Sequence, residues 1–198
     1  MKEVRLFQVG MLLLLSFAFS WPSRVIYEVD LTASQVKWKG YKVTGEHEGI
    51  VQLKEGFLVW EEDKLAGGEF VIDMTTIEDT DLAGQWKTKL ENHLKSDDFF
   101  GVSKYPTAHF VITRVVPQGP DKYKIIGNLT IKGTTKEIKF VADVKRQGET
   151  VEAEAKITVD RAEFDVRYGS GSFFDNLGDK TIYDEFDVWV HLVARKAR

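Results

Sequence analysis

From Ala108 to Asp160 the chain carries four alternating apolar–polar stretches in succession, over 108–116, 122–132, 136–146 and 150–160. A period of two places every second side chain on the same face of a strand. The apolar sets are Phe110/Ile112, Tyr123/Ile125/Leu129/Ile131, Ile138/Phe140/Ala142/Val144 and Val151/Ala153/Ala155/Ile157/Val159. Between them stand turn formers: Pro117-Gln118-Gly119-Pro120, Gly133 and Gln147-Gly148. Strands joined this tightly form an antiparallel meander with one apolar and one polar face. Few other folds accept such a run.

The flanking sequence extends the sheet. Val25, Tyr27, Val29 and Leu31 alternate over 25–32, and the 35–44 stretch changes phase around Gly40, which predicts a bulge or bend there. Gly49–Leu53 continues the sheet, Lys54-Glu55-Gly56 is expected to turn into 57–60, and Phe70, Ile72 and Met74 alternate within 65–77. A last strand over 181–193 carries Ile182, Phe186, Val188, Val190 and Leu192.

One helix interrupts this series. Leu82, Trp86, Leu90 and Leu94 recur every fourth residue and predict an apolar stripe, with Asp79, Thr80 and Asp81 placed to cap its start. Phe99-Phe100 adds two rings beyond it, and Tyr105-Pro106 stops any continuation. About eight to ten strands and one inserted helix give an all-β class, and closure into an antiparallel β-barrel removes the exposed edges. A barrel of about eight strands has an interior that side chains just fill, or that holds one slender ligand.

With 198 residues, 43% hydrophobic and 29% charged, and no linker-like segment, the chain reads as a single domain from about residue 25 to 198. Ahead of it, Lys2 and Arg5 precede an apolar run from Met11 to Phe19, followed by Ala18-Phe19-Ser20. This is the pattern of a signal peptide over 1–20, cleaved near Ser20, and implies an exported protein, periplasmic or secreted. Cleavage takes the formal charge from −4 to −5, so the mildly acidic body is not built for phosphate backbones, and nucleic acid is not expected as a partner. The absence of cysteine leaves burial, rather than disulfides, to hold an exported domain together.

No motif of catalysis emerges. His47, His93, His109 and His191 show no zinc spacing, so no metal site is expected. Gly169-Ser170-Gly171-Ser172 lacks the nucleophile-elbow pattern, and neither a phosphate-binding glycine loop nor an EF-hand loop occurs. An enzymatic alternative would require an activity lost on substitution of a single polar residue, for instance His93 or Asp97, which stand four apart near the helix end.

The blocks HLKSDDFFGVSKYPTAHF (93–110), GNLTIKGTTKEIKF (127–140), ITVDRAEFDVRYGSGSFFDNLGDKTIYDEFDVWVHLVA (157–194) and KWKGYKVTGEHEGIV (37–51) resemble the YceI-like family of lipid- or polyisoprenoid-binding proteins. That resemblance implies an elongated, lipocalin-like barrel with a long apolar tunnel and the helix as its cap. Parity then nominates Phe70, Ile72, Phe110, Ile112, Leu129, Ile131, Phe140, Phe186 and Val188 as walls. Trp86, Phe99, Phe100, Phe164 and Phe173 are the mouth or lid candidates, with Lys42, Arg161 and Arg167 as charges for the mouth. The expected ligand is an isoprenoid lipid or quinone, carried without cofactor or chemistry, with only transient membrane contact for exchange and a homodimer left open. The alternative is a solidly packed exported module that binds a protein through its 168–180 loop.

Overall fold

The computed structural model describes residues 23–198. The segment expected to be a signal peptide, 1–20, lies outside them. The strands are β1 (Arg24–Val29), β2 (Gln35–Lys42), β3 (Gly45–Glu61), β4 (Lys64–Asp79), β5 (Thr107–Gly119), β6 (Lys122–Ile131), β7 (Thr134–Gln147), β8 (Thr150–Asp160) and β9 (Ile182–Lys196). A helix, α1 (Gly84–Lys95), separates β4 from β5. Every pairing is antiparallel, and the order β3-β2-β9-β8-β7-β6-β5-β4 returns to β3 through a β3–β4 pairing. The barrel is closed.

Nine strands fill eight places in the ring. β1 and β2 both run between β3 and β9: β1 pairs with residues 57–61 of β3 and 194–196 of β9, and β2 with 45–51 and 182–191. The two therefore lie end to end. Between them Asp30 closes a tight loop, its carboxylate accepting from Thr32 and Ala33 and reaching Arg195 at 3.2 Å.

The expected bulge at Gly40 is present as a register shift between Gly40 and Lys42. The turn expected at Lys54-Glu55-Gly56 is not: β3 runs through it as one 17-residue strand. A register shift between Leu53 and Glu55 does the work assigned to that turn. An extra residue inverts the facing of all that follows, so the inward set passes from Val51 and Leu53 to Leu58 without a chain reversal. Gly56 completes the joint, because a Cβ there would stand 2.7 Å from the Phe70 ring.

α1 also departs from expectation. It begins at Gly84 with Ala83 as N-cap and no side-chain cap, while Asp79 accepts a hydrogen bond from the Leu82 N–H before the helix starts. Of the expected stripe only Leu94 is buried; Leu82 and Leu90 are half-buried and Trp86 is 61% exposed. A four-residue step advances about 40° around the cylinder, so residues two steps apart already point roughly 80° apart. With the last turn pinned to the barrel, Trp86 rotates into solvent, where the Lys89 ammonium lies 5.5 Å over its ring. The cap is made by the end of α1 and the corner after it. There the N–H groups of Phe100, Gly101 and Val102 donate to the carbonyls of Leu94, Ser96 and Lys95.

Candidate functional site: an apolar cavity in the barrel

The inward residues of the eight strand positions do not meet in the middle. They surround a cavity of about 240 Å³. Its wall is apolar apart from the places where Glu154, Arg161 and Tyr183 touch it. The interior is therefore not solidly packed.

Two features keep the space open. Small side chains line one side: Ala142 of β7 is paired in register with Ala155 of β8, and Ala153 of β8 with Val144 of β7. The aromatic wall residues are also drawn back. Phe110 lies 6.5 Å from Phe70 and 5.5 Å from Phe140, centroid to centroid, and its ring edge occupies the notch at Gly127. A Cβ at Gly127 would stand 2.5 Å from that ring and 2.6 Å from the Val111 carbonyl oxygen, so only glycine leaves room for the retracted ring.

All nine wall candidates, Phe70, Ile72, Phe110, Ile112, Leu129, Ile131, Phe140, Phe186 and Val188, line the cavity. Of the mouth candidates, Phe99 and Phe100 line it, in edge-to-face contact at 4.9 Å. The other three do not. Trp86 is the exposed helix residue described above. Phe164 is fully buried, but in a 3-10 turn (Arg161–Phe164) that folds its ring into packed core beside the cavity. Phe173 is 41% exposed, with the Arg167 guanidinium 4.8 Å over its ring. In each case the side chain lies outside a strand, where no period of two fixes its facing.

The charges sort the same way. Lys42 and Arg167 stay off the cavity, while Arg161 touches it and is almost wholly buried. Its guanidinium donates to the carbonyls of Val166 (2.7 Å), Ile182 (3.0 Å) and Tyr183 (3.1 Å), pairs with Asp184 at 3.3 Å and stands 5.5 Å from the Phe99 ring centre. Burial lowers its pKa, opposed by Asp184 and Asp160. Arg161 thus knits three segments at one end of the cavity. An arginine just after an alternating strand reads as an ordinary turn residue, so only its partners reveal this. Trp38, Met74 and Ile77 also line the cavity and were legible only as strand residues.

The His93–Asp97 pair does not form. The His93 ring lies edge-on to Tyr168 at 4.3 Å and to Phe99 at 5.6 Å, while Asp97 reaches Lys104 at 2.9 Å.

A closed barrel around an apolar hollow, with a helical corner lining one part of its wall, is a specific arrangement, and comparison with known proteins places it. A family model described as the YceI-like domain matches residues 27–194. The chain belongs to the YceI-like family. A UPF0312 protein of Pseudomonas putida (strain W619) is 32% identical over 130 residues, 62% of this chain and 63% of that relative. One from Pectobacterium atrosepticum is 46% identical over 59 residues, 30% of each chain. The chain thus matches less than two thirds of the length of these curated relatives. Among solved structures, BcnA of Burkholderia cenocepacia superposes with a TM-score of 0.66 at 26% identity, over 84% of this chain and 99% of that one. A polyisoprenoid binding domain from Saccharophagus degradans gives 0.63 at 13% identity, over 86% and 98%, a likeness of fold alone.

Proposed function

We propose that this protein is an exported, non-enzymatic lipid binder that sequesters or carries an isoprenoid lipid or isoprenoid quinone in its barrel cavity. The single observation that carries the reading is a cavity of about 240 Å³ whose wall is almost entirely carbon. An apolar cavity of about 150 Å³ holds a guest the size of benzene, so on the same scale this space takes on the order of ten carbon-sized groups, or roughly two isoprene units. Each unit buried contributes up to about 3–4 kcal/mol before the cost of ordering it, so a few units suffice for tight binding. Membership of the YceI-like family and the likeness to a polyisoprenoid binding domain support the chemical class. The polar head, lacking partners along the wall, is left to the ends of the cavity.

Native mass spectrometry and organic extraction of the purified protein test this. The expected result is a co-purifying long isoprenoid, or uptake of an added polyprenol by protein stripped of lipid. Protein that is empty as isolated and takes up neither polyprenol nor isoprenoid quinone refutes the proposal.

A further inference from the structure

Outside the barrel, near the start of α1, His47 meets two acidic residues more than thirty positions further along the chain. His47 stands near the start of β3, Asp79 ends β4, and Asp81 follows in the link to α1. One ligating atom from each, an imidazole nitrogen and two carboxylate oxygens, lies within 4.8 Å of the other two. His47 Nδ1 is 3.0 Å from Asp81 Oδ2, and Asp81 Oδ1 accepts from the Glu48 N–H at 3.0 Å. Asp79 is fully buried: its Oδ1 accepts from the Leu82 N–H at 2.7 Å, while its Oδ2 is sealed from solvent without any hydrogen-bond partner.

That orphan oxygen decides the reading. The Asp79 and Asp81 carboxyl groups are in contact, and the nearby Lys87 is engaged by Glu78 and Glu91. A buried carboxylate facing a second carboxylate requires a positive charge or a proton between them.

We infer that His47, Asp79 and Asp81 form a binding site for a first-row divalent cation of the zinc type, with water completing its coordination. One imidazole and two carboxylates suit such an ion, whereas calcium takes about six to eight oxygens. Bond lengths of about 2.0–2.2 Å set tetrahedral ligands roughly 3.3–3.6 Å apart, a spacing the cluster reaches by small side-chain adjustments. The His47 and Asp81 side chains, 27% and 33% exposed, leave an entry path from solvent. A bound cation staples the start of β3 to the link into α1, the element whose far end caps the cavity. Spacing in sequence cannot reveal the site, because the imidazole comes from β3 and the carboxylates from the end of β4 and the link after it.

The test is calorimetric titration of chelator-stripped full chain with zinc chloride, paired with thermal unfolding. Wild type is expected to bind one equivalent and to gain roughly 5–10 °C at zinc about 100-fold above its Kd. His47→Ala and Asp79→Asn are expected to lose both responses. His191→Ala, which removes the exposed Glu152/Glu154/His191 group, is expected to keep them. In Asp79→Asn the new amide can donate to Asp81, so the metal-free variant is expected to be at least as stable as wild type. Should it fail to fold, His47→Ala on the exposed side of the site decides. Absence of stoichiometric binding by wild type, retention in both site variants, or loss in His191→Ala overturns the inference.

Discussion

His93 holds its imidazole between the Tyr168 and Phe99 rings, with Nε2 buried and unpartnered. Burial lowers its pKa from the ordinary 6.5, and the charge on Asp98 only partly opposes this. The neutral ring is therefore the form the folded protein prefers. Because the folded pKa lies below the unfolded one, the unfolded chain binds the extra proton first, and stability is lost as pH falls through about 6.5 toward the lowered value. Wild type is expected to lose thermal stability more steeply between about pH 7.5 and about pH 5 than His93→Gln, whose side chain does not titrate. Parallel unfolding curves for the two proteins would remove His93 from the pH response. Since Phe99 lines the cavity, this same ring contact couples acid to the corner that caps it.

The strands place charge on the outside as strictly as they place carbon inside. Asp187 of β9 sits between inward Phe186 and Val188, and its carboxylate accepts from Tyr41 of β2 at 2.9 Å and Thr158 of β8 at 2.7 Å, with Lys156 at 2.9 Å. Burial opposes its charge, yet hydrogen bonds from Thr158, Lys156 and Tyr41 hold its pKa below the usual carboxylate value. One side chain thus bridges three strands next to the bulge at Gly40, where the backbone ladder is interrupted. Asp187→Ala leaves two hydroxyls and an ammonium without their acceptor and is expected to cost about 1.5–3 kcal/mol in urea unfolding, with Asp187→Asn costing less. A loss below about 0.5 kcal/mol would mean the bridge contributes nothing beyond an ordinary surface contact. The strands were legible because inward and outward residues alternate along them, and every wall candidate drawn from parity lines the cavity. Trp86, Phe164 and Phe173 were not legible, because helix rotation and turn geometry are set by what the segment packs against. The continuous β3 was misread at 54–56 for a related reason: turn-forming residues also build bulges, and register alone separates the two.

For the molecule as a whole, the wall has been kept thin where it could have been filled. Ala142, Ala153 and Ala155 occupy inward positions on β7 and β8 at which valine or leucine would close the hollow. Empty apolar space costs the barrel dispersion contacts, and an occupant restores them. A ligand that binds only the folded state raises stability in proportion to the logarithm of its concentration over Kd, about 2.7 kcal/mol at 100-fold excess. Ala155→Trp places a large ring in the void rather than in packed core, so the metal-free, lipid-free variant is expected to fold with stability close to that of stripped wild type. Its thermal midpoint is expected not to rise with added polyprenol, while that of wild type does. The same variant purified from cells is expected to yield no isoprenoid on extraction. A variant that folds, keeps the polyprenol response and still carries lipid would show that the hollow is not where the ligand sits, and would move the site to the outer surface.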